Sequence, residues 1–555
     1  MKLNSIPQIY RHLGRWYEIL SVLSKYELAG WIRRLGPDFA KDLLKARGGA
    51  AIARHPWETR LRLALAELGP TFIKLGQLLS TRPDLVGVRL AEEFQQLQEN
   101  VHADSPELVR KLIESELGRT IEELFAEFEP EATASASIGQ VHRARLHSGE
   151  DVVVKVLHAD IEKKVAVDMD ILAGLAVMAD MIPEFHNYRP SAIVAEFQRV
   201  IRRELDFGRE ERNIQQFAHD FRGDPTVHIP LTYPSLCTRR VLTMERLVGI
   251  KLSETARLAE AGIDTDEVAR RGAAICLKMI FDHGFFHADP HPGNLIVMEG
   301  CTIGLFDFGM VGRIDERLHE DTSEMLVALS SLDAEHTTSM ILRLGKTPAD
   351  LDRSALALDV ADFLSYYASQ SLEKFDLSGA LNEMMEQIRR YRIVLPARIV
   401  MLLKALITLE GTARMVSPKF SLVEMIQPYR RKLFLRRFSP RRRLRKLHRL
   451  LSELDHLVDI LPQGIADILE QMQSGRFDIH LDHRGLEPSV NRLVMGMLAS
   501  AFVVAASLLL SREVGPTIWG VSSLGLAAAV IGAGLAFRVW LAINKSGHLD
   551  RKKKE

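Results

Sequence analysis

Three oxygen-bearing side chains in the middle of the chain have the types and spacing that phosphoryl transfer requires. Asp289 and Asn294 stand five positions apart, and Asp307 follows in the triplet Asp307-Phe308-Gly309. Transfer of a phosphoryl group needs one carboxylate near the attacking oxygen and two oxygen ligands that hold Mg²⁺ against the phosphates. The sequence therefore predicts that Asp289 orients the nucleophile, and that Asn294 and Asp307 bind the metal.

The same residues match two motifs of protein kinases. His287, Asp289 and Asn294 have the H-x-D-x-x-x-x-N spacing of the catalytic loop, and the D-F-G triplet follows it. A zinc site is the alternative, because His283, His287 and His291 recur at intervals of four. A glycine and two prolines interrupt the helix that would align these histidines, so the pattern favours phosphoryl transfer.

Upstream segments could hold the phosphates and the base of a nucleotide. Lys155 is the lysine of an apolar strand, as the phosphate-binding lysine of V-A-I-K is. In place of a glycine-rich loop over the phosphates, the chain has an alanine- and serine-rich loop made of Ala134, Ser135, Ala136, Ser137, Ile138 and Gly139. Small side chains still allow close backbone approach, although fewer glycines make the loop stiffer. Glu245 ends a short apolar strand that suits the link contacting adenine, although a plain buried strand would look the same.

The elements that must position these residues follow from the hydrophobic periodicity. The pattern is helical up to about residue 125, resembles a β-hairpin between residues 132 and 157, is mixed up to residue 306, and is helical again from residue 313 to about 429. Strands, then a mixed centre, then helices predict an α+β fold with two lobes.

Taken together, the motifs resemble those of the UbiB family of atypical kinases, found in bacteria, mitochondria and plastids and associated with ubiquinone biosynthesis. The family's other motifs are present as Lys74-Leu-Gly-Gln77 (K-x-G-Q), Ala134 to His142 (alanine-rich loop) and Glu204-Leu-Asp206 (E-x-D). The resemblance implies a protein-kinase-like fold that uses ATP and Mg²⁺. It also implies that the K-x-G-Q extension covers the place of a peptide substrate, and that the alanine-rich loop suppresses protein phosphorylation. In agreement, the sequence after Gly309 leaves no room for a long activation loop.

The acidic residues of the E-x-D segment raise a question of geometry. On one continuous helix Glu204 and Asp206 would lie about 200° apart, whereas Asp206 and Glu210 would share a face. We therefore expect Glu210 to pair with Lys155, and Glu204 or Asp206 to pair with Lys74. The alternative is a charged surface helix, because several arginines crowd the segment.

Four regions are expected along the chain. These are a helical N-terminal extension with the K-x-G-Q motif (1–125), an atypical kinase-like domain (126–429), a basic and mostly helical membrane-proximal segment (430–491), and a transmembrane helical hairpin (493–543).

Composition narrows the class of protein. The chain has 555 residues, of which 47% are hydrophobic, and its formal net charge is zero. It is therefore too apolar to be a disordered protein and too neutral overall to be a basic nucleic-acid coat. Three scattered cysteines cannot form a disulfide framework, so a reducing compartment is expected.

Two uncharged runs near the C-terminus predict membrane-spanning helices. Residues 493–511 and 514–537 comprise 19 and 24 residues without a charge, enough to cross roughly 30 Å of hydrocarbon. Both flanks are basic, so both ends should face the cytoplasm. We expect a protein of the bacterial inner (cytoplasmic) membrane with its kinase-like domain on the cytoplasmic side. A buried hairpin in a soluble core and a re-entrant hairpin are the alternatives.

A strongly basic segment precedes this hairpin. Residues 430–449 contain eleven Lys or Arg and no acid, interleaved with apolar residues. Such a segment suits an anionic lipid surface, at about 1 kcal/mol per basic residue near the headgroups. A solvated helix face is the alternative, and nucleic-acid binding is not expected, because no reading motif accompanies the segment.

Three functions remain open on the sequence. The first is a membrane-anchored, Mg-ATP-dependent kinase or ATPase that supports isoprenoid quinone biosynthesis by acting on lipid precursors or on the biosynthetic enzymes; this step rests on the family resemblance. The second is a phosphotransferase with a discrete small-molecule or protein acceptor. The third is a nucleotide-gated scaffold. The expected partners are an anionic membrane, quinone precursors and quinone-biosynthesis enzymes, and a homodimer stays open.

Overall fold

The structure is a computed structural model that describes residues 12–28, 55–97, 102–182, 189–348, 350–370, 375–437, 487–511, 516–518 and 521–545. The chain forms two compact units, Met1–Ser439 and Pro440–Glu555. Most of the basic segment between residues 430 and 491, including residues 438–486, lies outside the described residues, so its predicted lipid-facing character stays a prediction.

The first unit begins with helices, as the sequence predicts. They are α1 (Leu13–Lys25), α2 (Trp57–Leu68), α3 (Pro70–Ser80), α4 (Pro83–Val86), α5 (Val88–Gln95), α6 (Pro106–Leu117) and α7 (Ile121–Leu124). Trp16, Ile19 and Leu20 of α1 and Phe94 of α5 are almost completely buried in the main core. The K-x-G-Q residues lie on α3, so the helical extension packs into the core.

A five-stranded antiparallel sheet forms the small lobe. Its strands are β1 (Glu127–Phe128), β2 (Ala134–Ser135), β3 (Gly139–Arg145), β4 (Asp151–Leu157) and β6 (Val241–Glu245), with β4 between β3 and β6. Alternation along β4 directs Val152, Val154 and Val156 into one apolar core. Lys155 therefore points to the opposite face of the sheet.

Three helices connect these strands, and one prediction about them is wrong. They are α8 (Ile161–Asp180), α9 (Pro190–Glu204) and α10 (Phe207–Asp220). α9 ends at Glu204, and Asp206 is the N-cap residue of α10. Glu204, Asp206 and Glu210 thus do not share a helix, and the predicted common face of Asp206 and Glu210 does not exist.

Short strands and one long helix form the centre of the large lobe. A four-stranded sheet has the order β5 (Val227–His228), β10 (Ile303–Leu305), β9 (Leu295–Val297), β7 (Ile250–Lys251). Helices α11 (Thr255–Glu260) and α12 (Thr265–Lys278) follow β7, and α12 continues as a π-helical turn, Met279–His283. β8 (Phe285–His287) pairs with β11 (Val311–Arg313), which brings the catalytic loop beside the D-F-G segment.

Helices complete the unit. They are α13 (Glu316–Ser330), α14 (Ala334–Leu344), α15 (Arg353–Ala368), α16 (Leu377–Arg390), α17 (Ala397–Val416) and α18 (Leu422–Arg437). α13 begins three residues after β11 ends, so the described chain has no long activation segment there. Helices on a small sheet lobe and a mostly helical large lobe confirm the predicted α+β, two-lobed fold.

The second unit contains two long helices joined through a short strand pair. These are α19 (Glu487–Ser511), β12 (Thr517–Ile518), β13 (Val521–Ser522) and α20 (Ser523–Lys545). By length and composition, Leu493–Ser511 and Ser523–Leu541 could each cross a membrane, and few of their residues are buried. A Cβ atom at Gly525 would lie 2.8 Å from Leu510 Cγ, so glycine permits the close approach of the two helices at this point.

Candidate functional site

The site is built around an ion pair between α10 and strand β4 of the small-lobe sheet. α10 buries Phe207, Glu210, Ile214 and Phe217 on one face, so its single acid on that face needs a partner. Lys155 Nζ lies 2.9 Å from both Oε1 and Oε2 of Glu210, and 5.2 Å from the centre of the Phe207 ring. The predicted Lys155–Glu210 pair is therefore present.

Asp307 joins this pair. Its Oδ1 lies 3.5 Å from Lys155 Nζ, and half of its side chain is exposed. Lys155 lowers the pKa of Asp307 to about 2, and Lys74 contributes further while burial acts in the opposite direction. Although burial by itself would lower the pKa of Lys155, Glu210 and Asp307 raise it above its ordinary value. Asp307 is thus ionised at neutral pH and accessible to a cation.

The backbone of Asp307 is unusual. Its φ is +62°, a left-handed conformation that costs a non-glycine residue about 1–3 kcal/mol. The next residue fixes it: Phe308 is completely buried, its N–H donates to Glu210 Oε1 (3.2 Å), and its carbonyl accepts from Asn213 Nδ2 (3.0 Å). Glu210 therefore holds both the lysine and the backbone that presents the aspartate.

His287 connects the catalytic loop to the same segment. Its Nε2 lies 2.8 Å from the carbonyl oxygen of Asp307, and its Nδ1 lies 3.2 Å from the backbone N of Asp289. A carbonyl only accepts and an N–H only donates, so Nε2 carries the proton and Nδ1 accepts. Burial lowers the pKa of His287, which agrees with a neutral ring. Both nitrogens are occupied, so this histidine has none left for zinc.

The side chain of Asn294 is held by a hydrogen bond within the catalytic loop. Its Nδ2 donates to the carbonyl of Asp289 (3.2 Å), and its own carbonyl accepts from Phe306 N (3.2 Å). The side-chain amide orientation leaves Oδ1 available as a ligand. Amide and carboxylate oxygens are the donors that Mg²⁺ prefers, so Asn294 and Asp307 fit a magnesium ion that phosphates and water would also coordinate.

The alanine-rich loop lies tightly against the sheet. β2 pairs with β3, and the N–H of Ala136 donates to the carbonyl of Gly139 (2.8 Å). A Cβ atom at Gly139 would lie 2.5 Å from the carbonyl oxygen of Val156, so no larger residue fits there. His158 holds the loop from behind, with Nε2 3.0 Å from Ala136 O and Nδ1 3.2 Å from Asp104 Oδ2.

The remaining members of this loop differ in exposure. Ser137 is completely buried and its Oγ has no hydrogen-bond partner, and Ile138 is buried in the main core. Ala134 is exposed and Ser135 is half-buried on β2. The loop thus offers backbone and small side chains to a ligand, while its tip is held by the core.

A buried hydrogen-bonded histidine supports the strand that follows this loop. His142 Nδ1 donates to the carbonyl of Glu129 (2.9 Å), and its Nε2 accepts from Gln140 Nε2 (2.8 Å). Gln140 Oε1 in turn accepts from Asp104 N (2.6 Å). Burial lowers the pKa of His142 from its ordinary 6.5, so the ring is neutral in the folded protein.

We expect acid to destabilise the protein through this histidine. Below about pH 6.5 the unfolded chain binds a proton that folded His142 resists, so its contribution to stability, present above pH 6.5, is lost as the pH falls. The thermal unfolding midpoint between about pH 7 and pH 5 should fall less in His142→Gln than in wild type. The exposed His147→Gln is the control and should keep the wild-type slope. Equal slopes in all three proteins would contradict the assignment.

The K-x-G-Q helix contacts the site through its lysine. Lys74 Nζ lies 3.3 Å from Glu204 Oε2, so Glu204, one of its two predicted partners, pairs with it. Gln77 lies on the same helix, almost one turn later, and is half-buried. Asp206 is half-buried at the start of α10, and its side chain makes no capping hydrogen bond.

Glu245 ends β6, where the chain passes from the five-stranded sheet to β7 of the large lobe. Its carboxylate accepts from Leu231 N (3.0 Å) and lies 3.0 Å from His228 Nε2. The position is that of a link between the two lobes, and the predicted contact of this link with adenine stays a prediction. The carboxylate of Glu245 is already engaged, which leaves the backbone of the link for such a contact.

Sequence reasoning missed two residues of the site. Asn213 is one turn after Glu210 on the same face of α10, and that spacing could have identified it. Lys404 of α17 lies 3.1 Å from Asp289 Oδ1. It follows the catalytic loop by more than a hundred positions, and nothing in its neighbourhood signals the contact.

Family models match three parts of the chain. An ABC1 atypical kinase-like domain matches residues 96–341, a UbiB helical domain matches residues 360–421, and an ABC1/UbiB kinase-like C-terminal domain matches residues 479–545. The first match contains Lys155, Glu210, Asp289 and Asp307. The class defined by this fold and site is that of atypical kinase-like proteins.

Curated relatives extend over most of the chain. A probable protein kinase UbiB of Pseudomonas aeruginosa is 34% identical over 450 residues, covering 80% of this chain and 83% of the relative. One of Xylella fastidiosa is 30% identical over 539 residues, covering 94% and 97%. An uncharacterized protein of Clostridium pasteurianum is 31% identical over 500 residues, covering 88% and 93%. The chain belongs to the UbiB family.

Proposed function

We propose that the protein is a membrane-anchored, Mg-ATP-dependent atypical kinase or ATPase that supports isoprenoid quinone biosynthesis. The observation that carries the proposal is the meeting of Lys155, Glu210 and Asp307, which His287 joins to the Asp289 loop. A cation for phosphates, a metal-binding carboxylate and a carboxylate for the nucleophile are the parts that phosphoryl transfer needs. The link to quinones rests on the family.

Each residue has a role in this proposal. Lys155, oriented by Glu210, holds the α- and β-phosphates, and the alanine-rich loop covers them. Asn294 and Asp307 hold Mg²⁺, which when bound neutralises charge on the transferring phosphoryl group. Asp289 orients the attacking water or hydroxyl through its partly exposed carboxylate.

A protein acceptor is disfavoured by two features. α13 follows β11 directly, so the described chain offers no long segment on which a peptide could lie. Lys74, from the helical extension, lies close enough to lower the pKa of Asp307, so this extension occupies space beside the site. Water or a small acceptor fits this arrangement better.

The two apolar helices support a membrane location. Their exposed surface carries large apolar side chains, including Leu493, Leu508, Val530, Phe537 and Trp540. We place the hairpin in the bacterial inner membrane, with the kinase-like unit on the cytoplasmic side because both flanks are basic. There the protein would act on lipid quinone precursors or on the enzymes that modify them.

Hydrolysis of ATP by the purified full-length protein in detergent tests the proposed activity. We expect turnover that requires Mg²⁺ and is abolished by a chelator, with release of ADP. Vesicles containing anionic lipid should raise the rate more than neutral vesicles do. Nucleotide binding without measurable turnover under any of these conditions would favour the scaffold. Transfer of the γ-phosphate to an added acceptor, without release of free phosphate, would favour a discrete phosphotransferase.

A further inference from the structure

The catalytic loop carries no cation of its own. Residues 287–294 contain neither Lys nor Arg, although Asp289 must present a carboxylate beside a highly charged nucleotide. The cation that meets this carboxylate comes from α17: Lys404 Nζ lies 3.1 Å from Asp289 Oδ1. The side chains of Lys404 and Asp289 are 17% and 32% exposed, so the contact is sheltered without being sealed from solvent.

α17 contacts the same loop at a second, uncharged point. Thr412 Oγ1 donates to the carbonyl of Pro290 (3.1 Å), and this hydrogen bond is buried. The helix thus contacts two consecutive residues, one through charge and one through a neutral hydrogen bond. Substitution of Lys404 removes the charged contact with Asp289, whereas substitution of Thr412 only weakens the packing of the loop against α17. The two substitutions can therefore be compared.

Stability alone does not account for the charged contact. Partly exposed ion pairs contribute about 0–1 kcal/mol to stability. Lys404 also lines an open cavity of about 150 Å³ together with residues of α3, α5 and α16, among them Ser80, Glu92 and Met385. The lysine side chain is therefore not closely packed on that side. Its contact leaves Asp289 Oδ2 without a hydrogen bond from any other described residue.

We propose that Lys404 is a positioning residue for Asp289. By holding Oδ1, it fixes the rotation of the carboxylate and leaves Oδ2 directed to the attacking oxygen. This inference rests on the proposed function, because it gives Lys404 its role through the carboxylate that orients the nucleophile. Misplacement of a reacting group by about 1 Å can cost about 100-fold in rate, which is the scale expected when this contact is lost.

Steady-state ATP hydrolysis by full-length variants tests the proposal. Lys404→Met should lower kcat about 10- to 100-fold and leave KM for Mg-ATP within about twofold, because the lysine does not hold the nucleotide. Lys404→Arg should recover most of kcat. Thr412→Val should change kcat by less than about threefold, and the exposed Lys419→Met should match wild type.

A double substitution separates action through Asp289 from an independent effect. In an Asp289→Asn background, Lys404→Met should cause no further loss, since residues that act as a unit are not additive. Wild-type kcat in Lys404→Met, an equal loss in Thr412→Val, or full additivity in the double variant would each overturn the proposal. If Lys404→Met does not fold, Lys404→Gln is used in its place. A thermal unfolding midpoint close to that of wild type shows that the variant used is folded.

The turnover of the two single variants separates the proposed function from the inference about Lys404. A wild-type kcat in Asp289→Asn would overturn the proposed function, whatever Lys404 does. A strongly reduced kcat in Asp289→Asn beside a wild-type kcat in Lys404→Met would overturn only the inference about Lys404.

Discussion

Replacement of Asp307 by asparagine is expected to lower ATP turnover by about 100-fold or more. The carboxylate is half exposed beside Lys155, and its pKa of about 2 keeps it charged throughout the neutral range. Asparagine keeps the shape and one oxygen but removes the charge that would hold Mg²⁺. Fold and loop geometry should survive, because Glu210 and Asn213 hold the neighbouring Phe308 through its backbone.

The measurement pairs turnover with nucleotide binding. In Asp307→Asn, affinity for ATP in the absence of metal should change little, while the gain in affinity on adding Mg²⁺ should largely disappear. Asp350→Asn is the matched control, because Asp350 is exposed and remote in the sequence from the motifs. Full turnover in Asp307→Asn, or an equal loss in Asp350→Asn, would remove the basis for a metal at this position.

Replacement of Arg15 by methionine is expected to lower the free energy of unfolding by about 3–5 kcal/mol. Arg15 joins α1 to the rest of the unit: its Nε lies 2.7 Å from Asp168 Oδ1, and its Nη2 donates to Leu68 O (2.7 Å). Asp168 is completely buried. Without the guanidinium, the buried carboxylate of Asp168 would have no countercharge. Removing one partner of a buried ion pair destabilises a protein more than replacing both partners by apolar residues.

Denaturant unfolding of the variant measures this cost. Arg199→Met is the control, because Arg199 pairs with Glu196 on the surface, where exposed pairs contribute about 1 kcal/mol or less. The double variant Arg15→Met/Asp168→Leu should recover part of the lost stability, because no buried charge remains. A stability change in Arg15→Met no larger than in Arg199→Met would show that the pair has no such importance.

Much of this site could be predicted from sequence because its chemistry is local. Asp289, Asn294 and Asp307 are close along the chain, and a strand period of two separates Lys155 from the apolar Val154 and Val156 beside it. The pairing of Lys155 with Glu210 was predicted from the position of Glu210 in the segment that resembles the family's E-x-D motif. Two-lobed architecture followed from the order of strand and helix patterns.

Other features depend on tertiary structure and could not be predicted from the local sequence pattern. The helix ends at Glu204 and a new one begins after Asp206, although the acidic and basic composition continues through the break. The left-handed backbone of Asp307 results from the burial of Phe308 and its hydrogen bonds. Lys404 meets Asp289 only because α17 packs along the catalytic loop, and helix packing between distant segments cannot be read from local pattern.

The quinone content of a strain lacking the gene, complemented with wild type or with Asp307→Asn, tests the central claim most directly. We expect wild type to restore the quinone pool, and Asp307→Asn, present at equal amount in the membrane, to leave precursors accumulated. That result would show that quinone biosynthesis requires the metal-binding carboxylate of this protein. Restoration by Asp307→Asn, or an unchanged quinone pool in a deletion strain that has no second gene of the family, would contradict the account.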